Sequence, residues 1–212
     1  KANQENNDCK GSTCDNTIAL QVQGAFISNT IGGKTGDYED VSNSAEVEQT
    51  AEQENEGCEN SGCLNELDLQ AQAAAITNTV GGISGDHYED VSSSVEVEQV
   101  AQQENKDCND SECDNFIGIQ SQAASVTNTI GGTPGGSYEG VSNSAEVEQK
   151  ADQQNKECDT SLLCANTIGI QSQAASITNT IGGISGDHYE DVSNSAEVEQ
   201  KATQNNNDCD SA

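Results

Sequence analysis

Residues 166–200 read NTIGIQSQAASITNTIGGISGDHYEDVSNSAEVEQ, and this stretch decides the fold. Its first part alternates from side to side, a period of two that belongs to strands and places Ile168, Ile170 and Ala174 on one face. Thr178-Asn179-Thr180-Ile181 extends the alternation, and Gly182-Gly183 interrupts it. A turn rich in Gly and Asp follows from Gly186 to Asp191. In the next strand Val192, Asn194, Ala196 and Val198 share one parity, while Ser193, Ser195, Glu197 and Glu199 share the other. Small and β-branched residues inward with polar residues outward suit a half-buried sheet. Helix formers are dense over Ser144–Glu157, which keeps a helix there as an alternative, although Ala145, Val147 and Ala151 form no stripe at helical spacing.

The same text recurs throughout the chain. Lys1-Ala2, Thr50-Ala51, Val100-Ala101, Lys150-Ala151 and Lys201-Ala202 mark one slot, dividing the sequence into repeats at 1–49, 50–99, 100–149 and 150–200 with a partial repeat at 201–212. Each full repeat carries a cysteine pair, an Ile/Leu-rich alternation, Thr-Asn-Thr or its Ser-Asn-Thr variant before Gly-Gly, a Tyr-Glu turn and Glu-Val-Glu-Gln. A unit this small and polar cannot bury a sufficient core alone, so neighbours must complete one another, as in a solenoid. Two related half-units alternate: Asn-x-(Ile/Leu)-x-(Ile/Leu)-Gln at Asn65, Asn115 and Asn166, and Asn-x-Ala-Glu-Val-Glu-Gln at Asn43, Asn143 and Asn194. The expected fold is therefore all-β, a tandem-repeat β-solenoid or stacked-sheet fibre subunit. It has about two coils per fifty-residue repeat, roughly eight in all, and would stand roughly 40 Å tall at ~4.8 Å per strand. Alternating coils would also set Glu146 against Gly118 or Gly169 and keep like charges apart.

Composition narrows the function. The net charge of −30 comes from 37 acids against seven lysines, which opposes binding to nucleic acid and anionic membranes. Leu, Ile, Val and Phe supply only 34 of 212 residues, a disorder-like composition, yet the strict repetition argues for order. No apolar run approaches the ~18 residues of a membrane span, so no membrane insertion is expected. No signal peptide is recognisable, and the chain reads as mature material.

The cysteines fall in pairs: Cys9 with Cys14, Cys58 with Cys63, Cys108 with Cys113 and Cys158 with Cys164, leaving Cys209 for a partner beyond this stretch or on another subunit. Four or five intervening residues are more than the usual zinc spacing, and His87 and His188 are far away in sequence. No Cys-x-x-Cys-His haem motif occurs. Local disulfides are the better reading, and they place the protein in an oxidising, extracellular setting. Oxygen-rich turns at Asp37, Glu39 and Asp40, at Asp86, Glu89 and Asp90, and at Asp187, Glu190 and Asp191 are the candidate Ca²⁺ ligands; no other cofactor is expected. The third repeat, Gly136-Ser137-Tyr138-Glu139-Gly140, has lost two of these acids. Tyr38, Tyr88, Tyr138 and Tyr189 share one slot and are expected to close the end of the core. No Ser/His/Asp arrangement repeats, and no enzyme is expected.

The positions Asn43, Ala45 and Gln49, Asn143, Ala145 and Gln149, and Asn194, Ala196 and Gln200 follow Asn-x-Ala-x-x-x-Gln. This resembles half of the repeat of curli subunits, the bacterial amyloid fibres. The other half, Gln-x-Gly-x-x-Asn, and the lack of cysteine pairs in curli mark the differences. More loosely, the chain resembles long Asn/Gln/Cys repeat proteins of archaeal cell surfaces. The curli resemblance implies that Asn43, Gln49, Asn143, Gln149, Asn194 and Gln200 form side-chain ladders along a stacked β-solenoid. The resulting expectation is a surface filament, a homopolymer of this chain joined head to tail through its ends. A repetitive adhesive or ligand-binding surface module is the alternative.

Overall fold

In a computed structural model the structure describes residues 1–33, 38–82, 87–131, 137–158, 163–182 and 188–207. All regular elements among them are strands: β1 Ala2–Asn6, β2 Thr13–Gly33, β3 Tyr38–Glu39, β4 Ser42–Asn55, β5 Gly62–Gly82, β6 His87–Glu89, β7 Ser92–Asn105, β8 Glu112–Gly131, β9 Ser137–Glu139, β10 Ser142–Asn155, β11 Leu163–Gly182, β12 His188–Glu190 and β13 Ser193–Asn206. The helix alternative over Ser144–Glu157 is thereby replaced by β10. Three parallel sheets result, ordered β1-β4-β7-β10-β13, β2-β5-β8-β11 and β3-β6-β9-β12.

The all-β stacked architecture holds, but its layers are not the expected ones. Val95 pairs with Ala45 and Ala145, and Asn65 pairs with Asn16 and Asn115. Each strand therefore stacks on its own counterpart one whole repeat away, and one repeat makes one layer rather than two coils. The two half-units face each other inside the layer as a β-arch. The five-stranded sheet then spans about 19 Å at ~4.8 Å per strand, half the expected height.

This register also overturns the expected spacing of charge. Glu146 pairs with Glu96 and Glu197 rather than with Gly118 or Gly169. The reason is a competition between faces. The inward residues of β4, β7 and β10 include Gln49, Gln53, Asn55 and their equivalents, almost fully buried, and a buried amide must be hydrogen-bonded. Identical layers give each amide an identical partner above and below. The carboxylates are outward, where water and salt screen them.

One further expectation fails. Ile168 points inward, but Ile170 is 61% exposed and Ala174 is also exposed; the inward residues are instead Gln171, Gln173, Ala175 and Ile177. The pleat loses its phase by one residue at Ala19, Asp68, Gly118 and Gly169, so strict alternation misplaces everything beyond that point. Backbones of adjacent layers crowd there: a Cβ on Gly169 would lie 2.5 Å from the Gly118 carbonyl oxygen.

Four interior clusters fill each arch from end to end. The cysteines lie at one end. Next come Ile18, Leu67 and Ile117 against Ala51, Ala101 and Ala151. Ala74, Ile76, Ala124 and Val126 then pack on Val95, Val97, Ala145 and Val147. Val91, Tyr138 and Val141 close the far end, with Tyr138 fully buried.

Candidate functional site: the amide, cysteine and carboxylate columns

Asparagine forms two parallel ladders beside the cysteines. In the first, Asn6 Nδ2 donates to Asn55 Oδ1 at 3.0 Å, Asn55 to Asn105 at 3.0 Å, Asn105 to Asn155 at 3.0 Å and Asn155 to Asn206 at 3.1 Å. In the second, Asn16 donates to Asn65 at 3.1 Å, Asn65 to Asn115 at 3.0 Å and Asn115 to Asn166 at 2.9 Å. The ladders are braced across the arch: Asn55 Nδ2 reaches Asn65 Oδ1 at 3.1 Å, and Asn65 Nδ2 reaches Asn105 Oδ1 at 3.0 Å. Asn55, Asn65, Asn105 and Asn115 are all buried, so these bonds operate in a low dielectric, where they strengthen one another.

Glutamine repeats the device. Gln103 donates to Gln53 at 2.8 Å, and Gln153 to Gln103 at 2.9 Å. Gln103 Nε2 also reaches the facing sheet, at the carbonyl oxygen of Phe116, 2.9 Å away. On the facing strands Gln70 donates to Gln21, Gln120 to Gln70 and Gln171 to Gln120 at 2.7–2.9 Å. Of the residues implied by the curli resemblance, Gln49 accepts from Gln99 at 3.1 Å, Gln149 donates to Gln99 at 2.8 Å and Gln200 donates to Gln149 at 3.1 Å. Asn143 donates to Asn194 at 3.2 Å in its column and to Asn179 across the arch at 2.8 Å, and Asn43 donates to Asn78 at 2.9 Å. Ser93 replaces asparagine in the Asn43 column and accepts from Asn78 at 2.5 Å. The Asn55, Asn65 and Gln53 columns were missed by sequence reasoning. Their signal was present: every repeat reads Asn-x-x-Cys before its loop and Cys-x-Asn after it.

The cysteines stack in the next column. Cys9 is bonded to Cys14, Cys58 to Cys63 and Cys108 to Cys113, with Cα–Cα distances of 5.9, 6.3 and 6.3 Å. Cys158, buried, and Cys164, half-buried, continue the column, and Cys209 lies outside the described residues. Asp8, Asn60, Asp107, Asp110 and Glu157 in the loops adopt left-handed backbone, a conformation that Asn and Asp tolerate better than most residues. Adjacent layers bring sulfurs close: those of Cys58, Cys108 and Cys113 lie within 4.8 Å of one another. Three thiolates at this spacing could hold a soft metal ion only if the disulfides were open.

The outer face of the β4-β7-β10 sheet is a grid of carboxylates. Glu46, Glu96, Glu146 and Glu197 form one column, and Glu48, Glu98, Glu148 and Glu199 another. Glu96, in mid-column, has its pKa raised by burial first and then by the Glu146, Glu46, Glu98 and Glu148 carboxylates. On the facing sheet burial raises Glu66, with Asp68 and Asp15 adding to it, and burial followed by Glu112 raises Asp114. Lysines bridge the layers: Lys150 contacts Glu148 at 2.6 Å and Glu98 at 3.6 Å, while Lys106 pairs with Glu54 in the layer below. That pair with Glu54 is the main reason the Lys106 pKa is raised.

The candidate calcium turns are only partly described. Asp37, Asp86 and Asp187 lie outside the described residues. Glu39 pairs with Glu89, and Glu139 pairs with both Glu89 and Glu190. Asp40, Asp90 and Asp191 have φ of 56°, 52° and 53°, and Gly140 takes the same left-handed conformation at 65°. Among the described residues, no three carboxylates bring their oxygens within 4.8 Å of one another. His87 and His188 sit on this edge, 3.5 and 3.4 Å from Glu89 and Glu190. No helix of the described chain is long and apolar enough to cross a membrane. The chain matches no protein-family model, no curated protein and no solved structure.

Proposed function

We propose that the chain is a structural, non-enzymatic subunit of an extracellular filament or cell-surface fibre that assembles with further copies of itself by β-strand stacking. One observation carries this reading: each long strand pairs, parallel and in register, with its own counterpart one repeat away. A layer of that kind is a template for another identical layer. Among the described residues β2 and β11 are each paired on one side, and a further layer of the same kind would add along those edges. Because a head-to-tail contact of this sort does not close on itself, it propagates as an open filament. The amide ladders supply the side-chain register, as in cross-β stacks. Bonded cysteine pairs fit the oxidising conditions outside the cell.

Mass per unit length measured by electron microscopy tests the reading. Filaments containing one fifty-residue repeat per ~4.8 Å layer in each column of stacked chains are expected, hence two per layer where two columns pair side by side. A chain that stays dispersed, or filaments with half that mass per layer, would sink this proposal.

A further inference from the structure

The two outer faces of the arch differ in kind. The β4-β7-β10-β13 face carries the carboxylate grid. Beyond the phase change on the opposite sheet, residues 20–33, 69–82, 119–131 and 170–182 contain no Asp, Glu, Lys or Arg, in a chain of net charge −30. Their outward residues form columns. Leu20, Leu69, Ile119 and Ile170 make the first, and serine or alanine dominates the middle, as at Ala73, Ala123 and Ala174. Threonine lines the far side, with Thr30, Thr79, Thr129 and Thr180 in one column. Leu20, Val22 and Phe26 on the end strand β2 and Ile170 on the end strand β11 are 61–76% exposed, and Ile119 in mid-stack is still 43% exposed, bare apolar surface on so polar a chain. The ring of Phe26 lies back over Gly24, where a Cβ would meet it at 3.1 Å.

We propose that this uncharged face is a pairing surface for a second copy of the same chain, the two copies meeting sheet to sheet. The inference goes beyond the filament reading and does not depend on end-to-end stacking. Size supports it. Six outward positions along each strand, at ~3.3 Å per residue, and four strands at ~4.8 Å give about 700 Å² per copy. That is about 1,400 Å² for the pair, within the range of stable interfaces.

Electrostatics selects the occupant and the orientation. Sheets pack about 10 Å apart, so face-to-face pairing leaves the two carboxylate grids about 30 Å from each other, several Debye lengths at physiological salt. An approach through the other face would set grid against grid. Among the described residues, Asp15, Glu66 and Asp114 fringe the neutral face at its cysteine end, outward and before the phase change. A two-fold arrangement with strands running in opposite directions keeps those fringes apart. The same patch then serves on both copies. Small side chains in the middle columns permit the dry, interdigitated contact of paired sheets.

The test is the mass of the oxidised 212-residue chain in solution, before any filament forms, by sedimentation velocity across a salt series. Twice the chain mass is expected, with association strengthening as salt screens the net charge. Ala123→Glu should weaken pairing by more than about tenfold, because it buries an unpaired carboxylate. Ser94→Glu, on the carboxylate face, should leave pairing unchanged. A benzoylphenylalanine photo-crosslinker at Ser125 provides a second readout that adds no charge. It should join two chains through residues 119–131, whereas the same group at Ser94 should not. A chain that is monomeric at all salt concentrations, or an Ala123→Glu variant that pairs like the parent, overturns the proposal. A monomer that still forms single filaments would overturn pairing alone and leave the filament reading standing.

Discussion

Asn55 and Asn65 face each other across the arch, Nδ2 to Oδ1 at 3.1 Å, and each is the rung of its own ladder. One amide thus binds two sheets and two layers together. Replacing Asn105 by Leu should remove a rung in mid-stack and strand the amides of Asn55, Asn65, Asn115 and Asn155, which now bond to it. The expected loss is about 1–3 kcal/mol for each group left unsatisfied, read from denaturant midpoints. Asn3→Leu, on the exposed side of β1, should change stability by less than about 0.5 kcal/mol. Equal effects at the two sites would refute the ladder as a source of stability.

Much of this was legible in the sequence, and the rest failed for definable reasons. Alternation around Val198 and Gly-Gly punctuation identified strands, and repetition identified stacking. The number of coils was misjudged because the half-units at Asn43 and Asn65 resemble each other; they are facing halves of one layer, related by the arch rather than by stacking. Like charge at Glu46 and Glu96 argued against identical layers, but that argument weighed the solvent face alone. Buried amides at Gln49, Gln53 and Asn55 set the register instead. The outward position of Ile170 was hidden because a one-residue phase change leaves no mark in a pattern of alternation.

Acidity should stabilise the fold before it harms it. Glu96, Glu66 and Asp114 have pKa values raised in the folded state, mainly by burial. The folded chain therefore holds these protons more tightly than the unfolded chain. Their contribution is fully present below the unfolded values, near 4.5 for Glu and 3.8 for Asp, and is lost as pH rises through the folded ones. Melting temperature should rise as pH falls from 7 towards about 4.5. Glu96→Gln should raise stability at pH 7 by about 0.2–1 kcal/mol, the scale of a cross-strand charge pair, and flatten part of this dependence. A melting temperature that falls steadily from pH 7 to 5 contradicts the assignment.

Calcium is decided by melting in excess chelator and in added Ca²⁺. If the acidic turns are ligands, Ca²⁺ should raise the melting temperature, and Glu89→Gln should reduce that rise. Asp40, Asp90 and Asp191 should be broadened by a paramagnetic lanthanide in the same experiment, while Gly140, in the equivalent slot, offers no carboxylate. Identical melting curves under both conditions leave these turns as solvated loops.

The closeness of sulfurs in adjacent layers makes the cysteine column prone to exchange once one partner is removed. Cys58, Cys63, Cys108 and Cys113 are nearly inaccessible, and each closed loop is so short that its bond contributes roughly 2 kcal/mol through the unfolded chain. The parent should therefore give local bonds only when its peptides are mapped without reduction. In Cys113→Ser the thiolate of Cys108 is left within 4.8 Å of the Cys58 sulfur. Attack on Cys58 would form a Cys58–Cys108 bond and break Cys58–Cys63, releasing the thiolate of Cys63. Mapping of this variant should find bonds between repeats in a fraction that grows with pH, since the thiolate is the attacking species. The double variant Cys108→Ser with Cys113→Ser should restore local bonding at Cys9–Cys14 and Cys58–Cys63, at a cost of roughly 2 kcal/mol. If Cys113→Ser keeps Cys58–Cys63 intact at every pH, the column is mechanically close but chemically silent, and each loop closes by itself.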